Sequence, residues 1–103
     1  MLVFISQPMK DKTNEEILKE REDAVAMVKT YFPDEEIQVI DSFFKDKPVQ
    51  VKPLWYLAKS IELLSIADVA VFAPGWELAR GCRIEEQCAS QYGIAVLYLN
   101  QED

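Results

Sequence analysis

The sequence has 103 residues, 50% of them hydrophobic and 28% charged, which predicts one ordered domain around one core and excludes a disordered chain. The formal net charge of −7 opposes the counterion release that drives nonspecific binding to nucleic acid, so we predict no DNA or RNA partner, although a local site for a small phosphate is compatible with that charge. Histidine is absent, which removes the commonest metal ligand and the usual base at neutral pH, and with them catalytic zinc and a Ser-His-Asp triad.

The first part of the chain predicts two strands with a helix between them. Leu2 to Ser6 is a short apolar run and predicts the first strand. Thr13-Asn14-Glu15-Glu16 matches a capping box, and the helical spacing of apolar residues after it predicts a helix of about five turns that ends before Pro33. Glu35 to Asp41 contains alternating apolar residues and predicts the second strand.

The middle of the chain begins with a segment that has no periodic pattern. Ser42 to Lys52 predicts a loop long enough to be functional or mobile, and Phe43-Phe44 within it indicates contact with a partner subunit. Pro53 suits the first turn of a second helix, whose apolar residues, Leu54 among them, are predicted to share one face. Ala67 to Ala73 is almost continuously apolar and predicts a third strand that is buried on both faces.

The last part of the chain predicts a helix and a final strand. The helix runs from Gly81 to Tyr92 with Gly93 as its left-handed cap, and Ile94 to Leu99 forms the strand. Cys82 and Cys88 fall on opposite sides of that helix, so we predict two free structural thiols. Because the chain also lacks a CxxC pair, a signal-like amino terminus and the roughly 20 apolar residues of a membrane helix, we predict a cytoplasmic protein with no membrane partner.

Strand and helix alternate along the whole chain, which predicts one α/β domain over residues 1–103. The simplest arrangement is a small doubly wound parallel sheet of about four strands in the order 2-1-3-4, with helices on both faces. In that order the loops after the first and third strands, Ser6 to Lys12 and Pro74 to Arg80, line one crevice. Open α/β sheets bind ligands at such a crevice, outside the carboxyl ends of the strands.

Two carboxylates are predicted to lie near that crevice. Glu85 falls one turn inside the third helix, where it is either a nucleophile for an anomeric sugar carbon or a surface glutamate beside Glu86. Asp41 ends the second strand on the ligand side, where it either binds a ribose hydroxyl, holds a proton for a departing base, or caps a loop. Asp68 enters the third strand from the opposite end, so we predict that it caps or pairs a turn.

Both crevice loops carry side chains that suit an anion such as a phosphate. The first loop precedes a helix amino terminus, whose N–H groups and dipole favour negative charge, but it lacks the glycines of a dinucleotide fingerprint. A solvated turn and surface pairing with glutamates are the alternatives to phosphate binding. The candidates are Ser6, Gln7, Lys10 and Lys12 in the first loop, and Arg80 and Arg83, which flank Gly81.

Aromatic residues offer surfaces for stacking against a flat base. Trp76 follows Pro74-Gly75 in the second crevice loop, so it is the aromatic residue that we predict to bind a base. Trp55 and Tyr56 are equally well explained as residues of the core or of a subunit interface, because an aromatic side chain buries a large apolar area.

With these residues in place, the chain resembles the nucleoside 2-deoxyribosyltransferase-like superfamily, and more closely a branch of short, uncharacterised phage and bacterial proteins within it. The resemblance covers nearly the whole chain. Its most specific part is a glycine that lies four residues before a glutamate, with a Tyr-Gly pair after that glutamate. The matching blocks are Val3-Phe4-Ile5-Ser6-Gln7-Pro8-Met9, Ala67-Asp68-Val69-Ala70, and Gly75-Trp76 through Gly81, Glu85, Ala89 and Tyr92-Gly93.

This resemblance implies a flavodoxin-like fold, a nucleophilic role for Glu85 and a homodimer or larger homo-oligomer, because those enzymes complete their sites across subunit interfaces. We predict no cofactor and no metal. The chain departs from the pattern at Ala79, where the transferases carry an acidic residue and related nucleotide hydrolases a small hydroxyl residue. The segment after Asp41 is also shorter than in the larger transferases. The predicted substrate-binding positions are Ser6, Gln7, Pro8, Met9, Lys10, Gly75, Trp76, Arg80, Gly81 and Arg83.

Three functions are compatible with these features. The first is an enzyme, a glycosidase or transferase, that cleaves or transfers the N-glycosidic bond of a nucleoside or nucleotide through Glu85, with Asp41 assisting. The second is a module on the same fold that binds or sequesters a nucleotide without turnover, which the alanine at position 79 favours. The third is a protein interaction module that uses Phe43-Phe44 and the acidic surface.

Overall fold

Strands and helices alternate along the chain as the sequence predicts. The structure is a computed structural model and describes residues 1–41 and 50–99. Its elements are β1 (Leu2–Ser6), α1 (Asn14–Tyr31), β2 (Gln38–Val39), α2 (Pro53–Leu64), β3 (Val69–Phe72), a 3-10 turn (Trp76–Leu78), α3 (Arg80–Gln91) and β4 (Ala95–Tyr98). The strands form one parallel sheet in the order β2-β1-β3-β4, which confirms the predicted order and the small α/β fold of flavodoxin-like type.

The central strands β1 and β3 are buried on both faces, because successive side chains of a strand point to opposite sides of the sheet. One core contains Val3, Ile5, Val69 and Val71 of the strands with Ala24 and Val28 of α1. The other contains Phe4, Ala70 and Phe72 of the strands with Leu64 of α2 and Ala89 of α3. Helix α1 therefore covers one face and α2 and α3 cover the other, as predicted for a doubly wound sheet.

The edge strand β2 is shorter than the predicted range of 35–41. Only Gln38 and Val39 pair with β1, where they lie opposite Leu2 and Val3. Since β1 begins at Leu2, the residues before Gln38 have no strand residue opposite them, and the ladder ends there.

Asp68 joins the start of β3 to the start of β1. Its Oδ2 accepts a hydrogen bond from the Leu2 N–H at 2.6 Å, and its own N–H donates to the Leu2 carbonyl at 2.8 Å. The contact lies at the amino ends of the two strands, at the edge of the sheet opposite to the crevice. Asp68 therefore lies at the end opposite to the crevice, as predicted, but it bonds to β1 and not to a turn.

The turn after β3 determines where α3 begins. Gly75 has a φ of 87°, a left-handed conformation that side-chain-bearing residues rarely adopt, and the 3-10 turn follows it directly. Ala79 is then extended and precedes the first helical residue, so α3 begins at Arg80, one residue before the predicted start. No helix in the described ranges is long and apolar enough to cross a membrane.

Candidate functional site

A cleft of about 680 Å³ opens beside the carboxyl ends of β1 and β3. Its walls are the loop after β1, the first half of α2 and the first two turns of α3. It lies at the edge of the sheet where the strand order predicts a crevice, but of the predicted second loop only Ala79 and Arg80 line it. The predicted site residues that line it are Gln7, Pro8, Met9, Arg80, Gly81 and Glu85.

The Glu85 carboxyl lies at the buried wall of this cleft. The residue is only 7% exposed, and the Ser6 hydroxyl donates a hydrogen bond of 2.6 Å to Glu85 Oε1. Burial raises the pKa of Glu85 above its usual 4.5, and hydrogen bonds from Ser6 and Ser60 oppose part of that rise because they favour the charged form. The site therefore holds a carboxyl that is short of water and oriented by hydroxyl groups.

Helical spacing explains why Glu85, and not its neighbour, faces the cleft. The buried residues of α3 are Cys82, Glu85 and Ala89, which recur on one face of the helix. Glu86 points elsewhere and accepts hydrogen bonds of 2.8 Å from the hydroxyls of Ser90 and Tyr98. Of the two adjacent glutamates, Glu85 therefore faces the cleft and Glu86 does not.

Cys82 lies one helical turn before Glu85 and also lines the cleft. Burial raises the pKa of the Cys82 thiol, and the nearby Ser6 hydroxyl opposes part of that rise. Cys82 and Cys88 are both free thiols, as predicted. The cleft wall therefore brings a thiol, a hydroxyl and a carboxyl into one buried group.

Helices α2 and α3 both begin at the cleft, and each begins with a basic side chain. Lys52 precedes α2 and Arg80 begins α3, and both residues line the cleft. Neither helix has a side-chain cap or an acidic residue in its first turn. By contrast, α1 begins with a complete capping box and two glutamates. Positive potential at the cleft mouth therefore comes from α2 and α3 and favours an anion.

The polar side chains of the first loop contact α1. Gln7 donates to the Ile17 carbonyl at 3.0 Å and to Glu20 at 3.1 Å, and Lys12 forms a 2.8 Å ion pair with Glu20. Lys10 is exposed and does not line the cleft. Glu20 therefore fixes the first loop to α1, and Lys12 contributes to this through its ion pair with Glu20.

The substitution Glu20→Gln is expected to lower the free energy of unfolding by about 1 to 2 kcal/mol, because it removes the charge that pairs with a largely buried Lys12. Urea denaturation measures this loss. The matched control is Asp23→Asn, which breaks the more exposed Lys19–Asp23 pair on the same helix and is expected to cost less than about 0.5 kcal/mol. Equal losses in the two variants would contradict the role given to Glu20.

Trp76, which the sequence predicts to stack on a base, does not line the cleft; it is half-buried and packs against the edge of the core. Its ring stacks on Tyr98 with centroids 5.5 Å apart and is tilted against Phe72 at 5.7 Å. The ring therefore packs on residues of the sheet and does not line the cleft. Among the residues that the structure describes, Tyr56 of α2 is the aromatic residue that lines the cleft.

Several other predicted residues lie outside the cleft lining. Arg83 is exposed on α3, Gly75 forms the turn, and Asp41 is exposed just after the end of β2. The role of Asp41 in the site remains a prediction. Phe43-Phe44 lies outside the described residues.

Helix α2 supplies most of the lining residues that sequence reasoning did not select. Lys52, Tyr56 and Ser60 are spaced four residues apart, so they share the face that meets the cleft. This four-residue spacing could have indicated the polar face of α2 in the sequence. The apolar pattern instead predicted a core face that included Leu54. Leu54 instead is 70% exposed and lines the cleft.

Comparison with known proteins finds no matching family model, curated protein or solved structure. Among the residues that the structure describes, no group of three or more His, Cys, Asp or Glu side chains is placed to hold a metal ion.

Proposed function

We propose that this protein cleaves or transfers the N-glycosidic bond of a nucleoside or nucleotide, with Glu85 as the nucleophile. The observation that supports this most is the buried Glu85 carboxyl, oriented by the Ser6 hydroxyl in the wall of an open cleft. The cleft volume of about 680 Å³ lies in the range of small-molecule sites. The resemblance to the nucleoside 2-deoxyribosyltransferase-like superfamily assigns the same role to Glu85.

The proposed reaction has two displacement steps at the anomeric carbon. The Glu85 carboxylate attacks that carbon, the bond to the base nitrogen breaks, and the bonding electrons leave with the base, which takes up a proton from solvent or a nearby acid. The resulting glycosyl ester is attacked at the same carbon by water in hydrolysis, or by a ring nitrogen of a second base in transfer. Either attack restores the free carboxylate.

The cleft walls fit the parts of such a substrate. Pro8, Leu57 and Ile84 are apolar, and Tyr56 presents a ring, so this part of the lining suits a base. Lys52 and Arg80 suit a phosphate on the sugar. The lining thus favours a phosphorylated nucleoside over an uncharged one.

Arg80→Ala and Lys52→Ala are each expected to raise KM for a deoxynucleoside 5′-monophosphate about tenfold, because each removes a charged contact to the phosphate. KM for the matching nucleoside should change little. Initial-rate kinetics on both substrates measure the difference. Arg83→Ala is the matched control, since Arg83 is exposed on the same helix outside the cleft lining. Equal effects on the phosphorylated and unphosphorylated substrates would contradict phosphate binding here.

A nucleotide-binding module without turnover is the second candidate. One observation favours it: among the described residues that line the cleft, Glu85 is the sole carboxylate, and Ala79 offers only a methyl group. Protonation of the leaving base then depends on solvent or on Asp41, which lies outside the lining.

Base release separates the two candidates. The purified protein is incubated with a panel of deoxynucleosides and their 5′-monophosphates, and free base is measured by chromatography. Release by the native protein and none by Glu85→Ala supports the enzyme. Thermal stabilisation by a panel member without release supports the binding module, because a ligand that binds only the folded state raises its stability. The absence of both results contradicts both candidates.

The superfamily resemblance also leads us to propose a homodimer or larger homo-oligomer in the cytoplasm. Met9, Leu54 and Ile84 line the cleft mouth and are at least 41% exposed, which provides apolar surface for a second subunit.

A further inference from the structure

We propose that Glu20 is a positioning residue for the substrate, because its carboxylate binds both ends of the loop after β1 and so fixes Pro8 and Met9 in the cleft wall. Glu20 lies on α1, which covers the face of the sheet opposite to the one on which Glu85 and α3 lie. This inference rests on the proposed function and deepens it, since it assigns the residue that sets the shape of the substrate-binding wall.

The two ends of this loop meet on the Glu20 carboxylate. At the first end, Gln7 Nε2 donates to Glu20 Oε1 at 3.1 Å. At the last end, Lys12 Nζ donates to the same oxygen at 2.9 Å and to Oε2 at 2.8 Å. The Lys12 and Glu20 side chains are only 19% and 18% exposed, so this pair is shielded from most of the water that weakens surface ion pairs. We call Gln7, Lys12 and Glu20 the loop clamp.

The residues between the two ends form part of the cleft wall. Pro8 and Met9 line the cleft, and the Lys12 N–H donates to the Met9 carbonyl at 3.3 Å, which closes a turn. Within this turn Asp11 has a φ of 64°, a left-handed conformation that is uncommon for a residue other than glycine. The turn reverses the chain, so Lys12 returns to α1 while Met9 stays at the cleft. The position of this wall therefore depends on Lys12 being held.

The loop clamp acts on the wall and not on the proposed nucleophile. Ser6 bonds to Glu85 from the last position of β1. It lies opposite Phe72 in the β1–β3 ladder, and its carbonyl accepts a hydrogen bond of 2.9 Å from the Ala73 N–H. The sheet thus holds Ser6 whether or not the loop is fixed. Opening the clamp is expected to weaken substrate binding and to leave the chemical step of the bound substrate almost unchanged.

The Lys12 end of the clamp is the end that depends on Glu20. Gln7 has two further partners on α1, because its amide also donates to the Ile17 carbonyl at 3.0 Å and accepts from Arg21 Nη1 at 3.3 Å. Lys12 bonds through its ammonium group to both oxygens of Glu20. Loss of Glu20 therefore leaves Gln7 on α1 and releases the turn at the other end of the loop.

Variants of both ion-pair partners test the clamp. Glu20→Ala and Lys12→Met are each expected to raise KM for a deoxynucleoside 5′-monophosphate about fivefold to 20-fold, with kcat within about twofold of the native value, because a displaced wall contacts the substrate less well. Lys12→Arg keeps a cation that pairs with a carboxylate and should restore most of the native KM. The double variant should raise KM no further than either single variant, because both changes open the same loop.

Asp23→Asn is the matched control. It breaks an ion pair with Lys19 on the same helix that is not part of the clamp, so KM should keep its native value. Order in the loop is also measured without substrate, by the ¹⁵N–¹H heteronuclear NOE of the amides of residues 9–11. These signals should fall in Glu20→Ala and Lys12→Met, and they should stay unchanged in Lys12→Arg and Asp23→Asn.

The outcomes separate this inference from the proposed function. Base release by the native protein, with KM and loop signals of Glu20→Ala equal to those of Asp23→Asn, overturns the clamp and leaves the proposed function standing. Loop signals that fall while KM stays unchanged overturn the positioning role. Additive effects on KM in the double variant would show that the two residues do not act on one loop, which also overturns it.

A native protein that binds a nucleotide but releases no base contradicts the enzyme and not the clamp. The dissociation constant of that nucleotide then replaces KM, and the same fold-changes are expected for it. A native protein that neither binds a nucleotide nor releases base contradicts the proposed function and the positioning role together. Circular dichroism checks each fold, and if Glu20→Ala does not fold, Lys12→Met and Lys12→Arg decide the result.

Discussion

Replacing Glu85 by glutamine is expected to reduce base release about a thousandfold or more and, at the same time, to stabilise the protein at neutral pH. Glutamine cannot act as a nucleophile, so the first displacement is lost. Glutamine also accepts the Ser6 hydrogen bond without a charge, so the cost of burying an ionised carboxyl disappears. Opposite changes in activity and stability are a sign of a group that is kept for chemistry.

The pH dependence of this stabilisation has a definite sign. The pKa of Glu85 is raised in the folded protein above its usual 4.5, so between the unfolded and folded pKa values the folded state binds more protons. Stability from this group is complete below the unfolded pKa and is lost as pH rises through the folded pKa. The advantage of Glu85→Gln over the native protein should therefore be small at low pH and increase toward neutral pH.

Urea denaturation of both proteins over a series of pH values measures this difference. Glu86→Gln is the matched control, because Glu86 neighbours Glu85 but is only half-buried and accepts from Ser90 and Tyr98. Its difference from the native protein should not follow the same pH profile. An unfolding free energy for Glu85→Gln that falls below the native value at neutral pH would contradict the cost assigned to the buried carboxyl.

Trp76→Ala is expected to lower the free energy of unfolding by about 2 kcal/mol, less than removal of a fully buried indole costs, because Trp76 is half-buried. The indole contacts both Phe72 and Tyr98, so its removal takes packing from the ends of β3 and β4. Since Trp76 does not line the cleft, KM for the substrate should change little in the folded fraction. Urea denaturation and initial-rate kinetics measure the two quantities.

Tyr56→Ala is the comparison for Trp76→Ala, because Tyr56 lines the cleft. It should raise KM more than Trp76→Ala does. The opposite pattern, with stability unchanged and KM raised in Trp76→Ala, would restore the base-stacking role that its place in the sequence predicts.

The fold followed from sequence because the strong signals are periodic and local. The apolar run of β3, the capping box of α1 and the alternation of strands and helices each have one simple interpretation. The strand order then placed the loop after β1 beside the start of α3, which brought Ser6 and Glu85 to one crevice. Only the structure shows that the Glu85 side chain faces the crevice, because the sequence does not tell which of two adjacent glutamates points inward.

Two predicted residues lie outside the cleft lining because their side chains make other contacts. The Trp76 ring packs on Phe72 and Tyr98, and Lys12 pairs with Glu20 of α1. The contribution of α2 depends on how closely that helix approaches α3, which is a tertiary property. Such contacts between distant segments are not encoded in any short window of sequence.

The Ser6 to Glu85 hydrogen bond joins residues that are 79 positions apart. Its two partners meet only after β1 has paired with β3 and α3 has docked on the sheet, so no fragment that lacks either end contains the reactive group. Contacts of such large sequence separation form late and slowly compared with helices. During refolding, recovery of the proposed base release should therefore lag behind recovery of helical content, and the proposed nucleophile would report the completion of the whole domain.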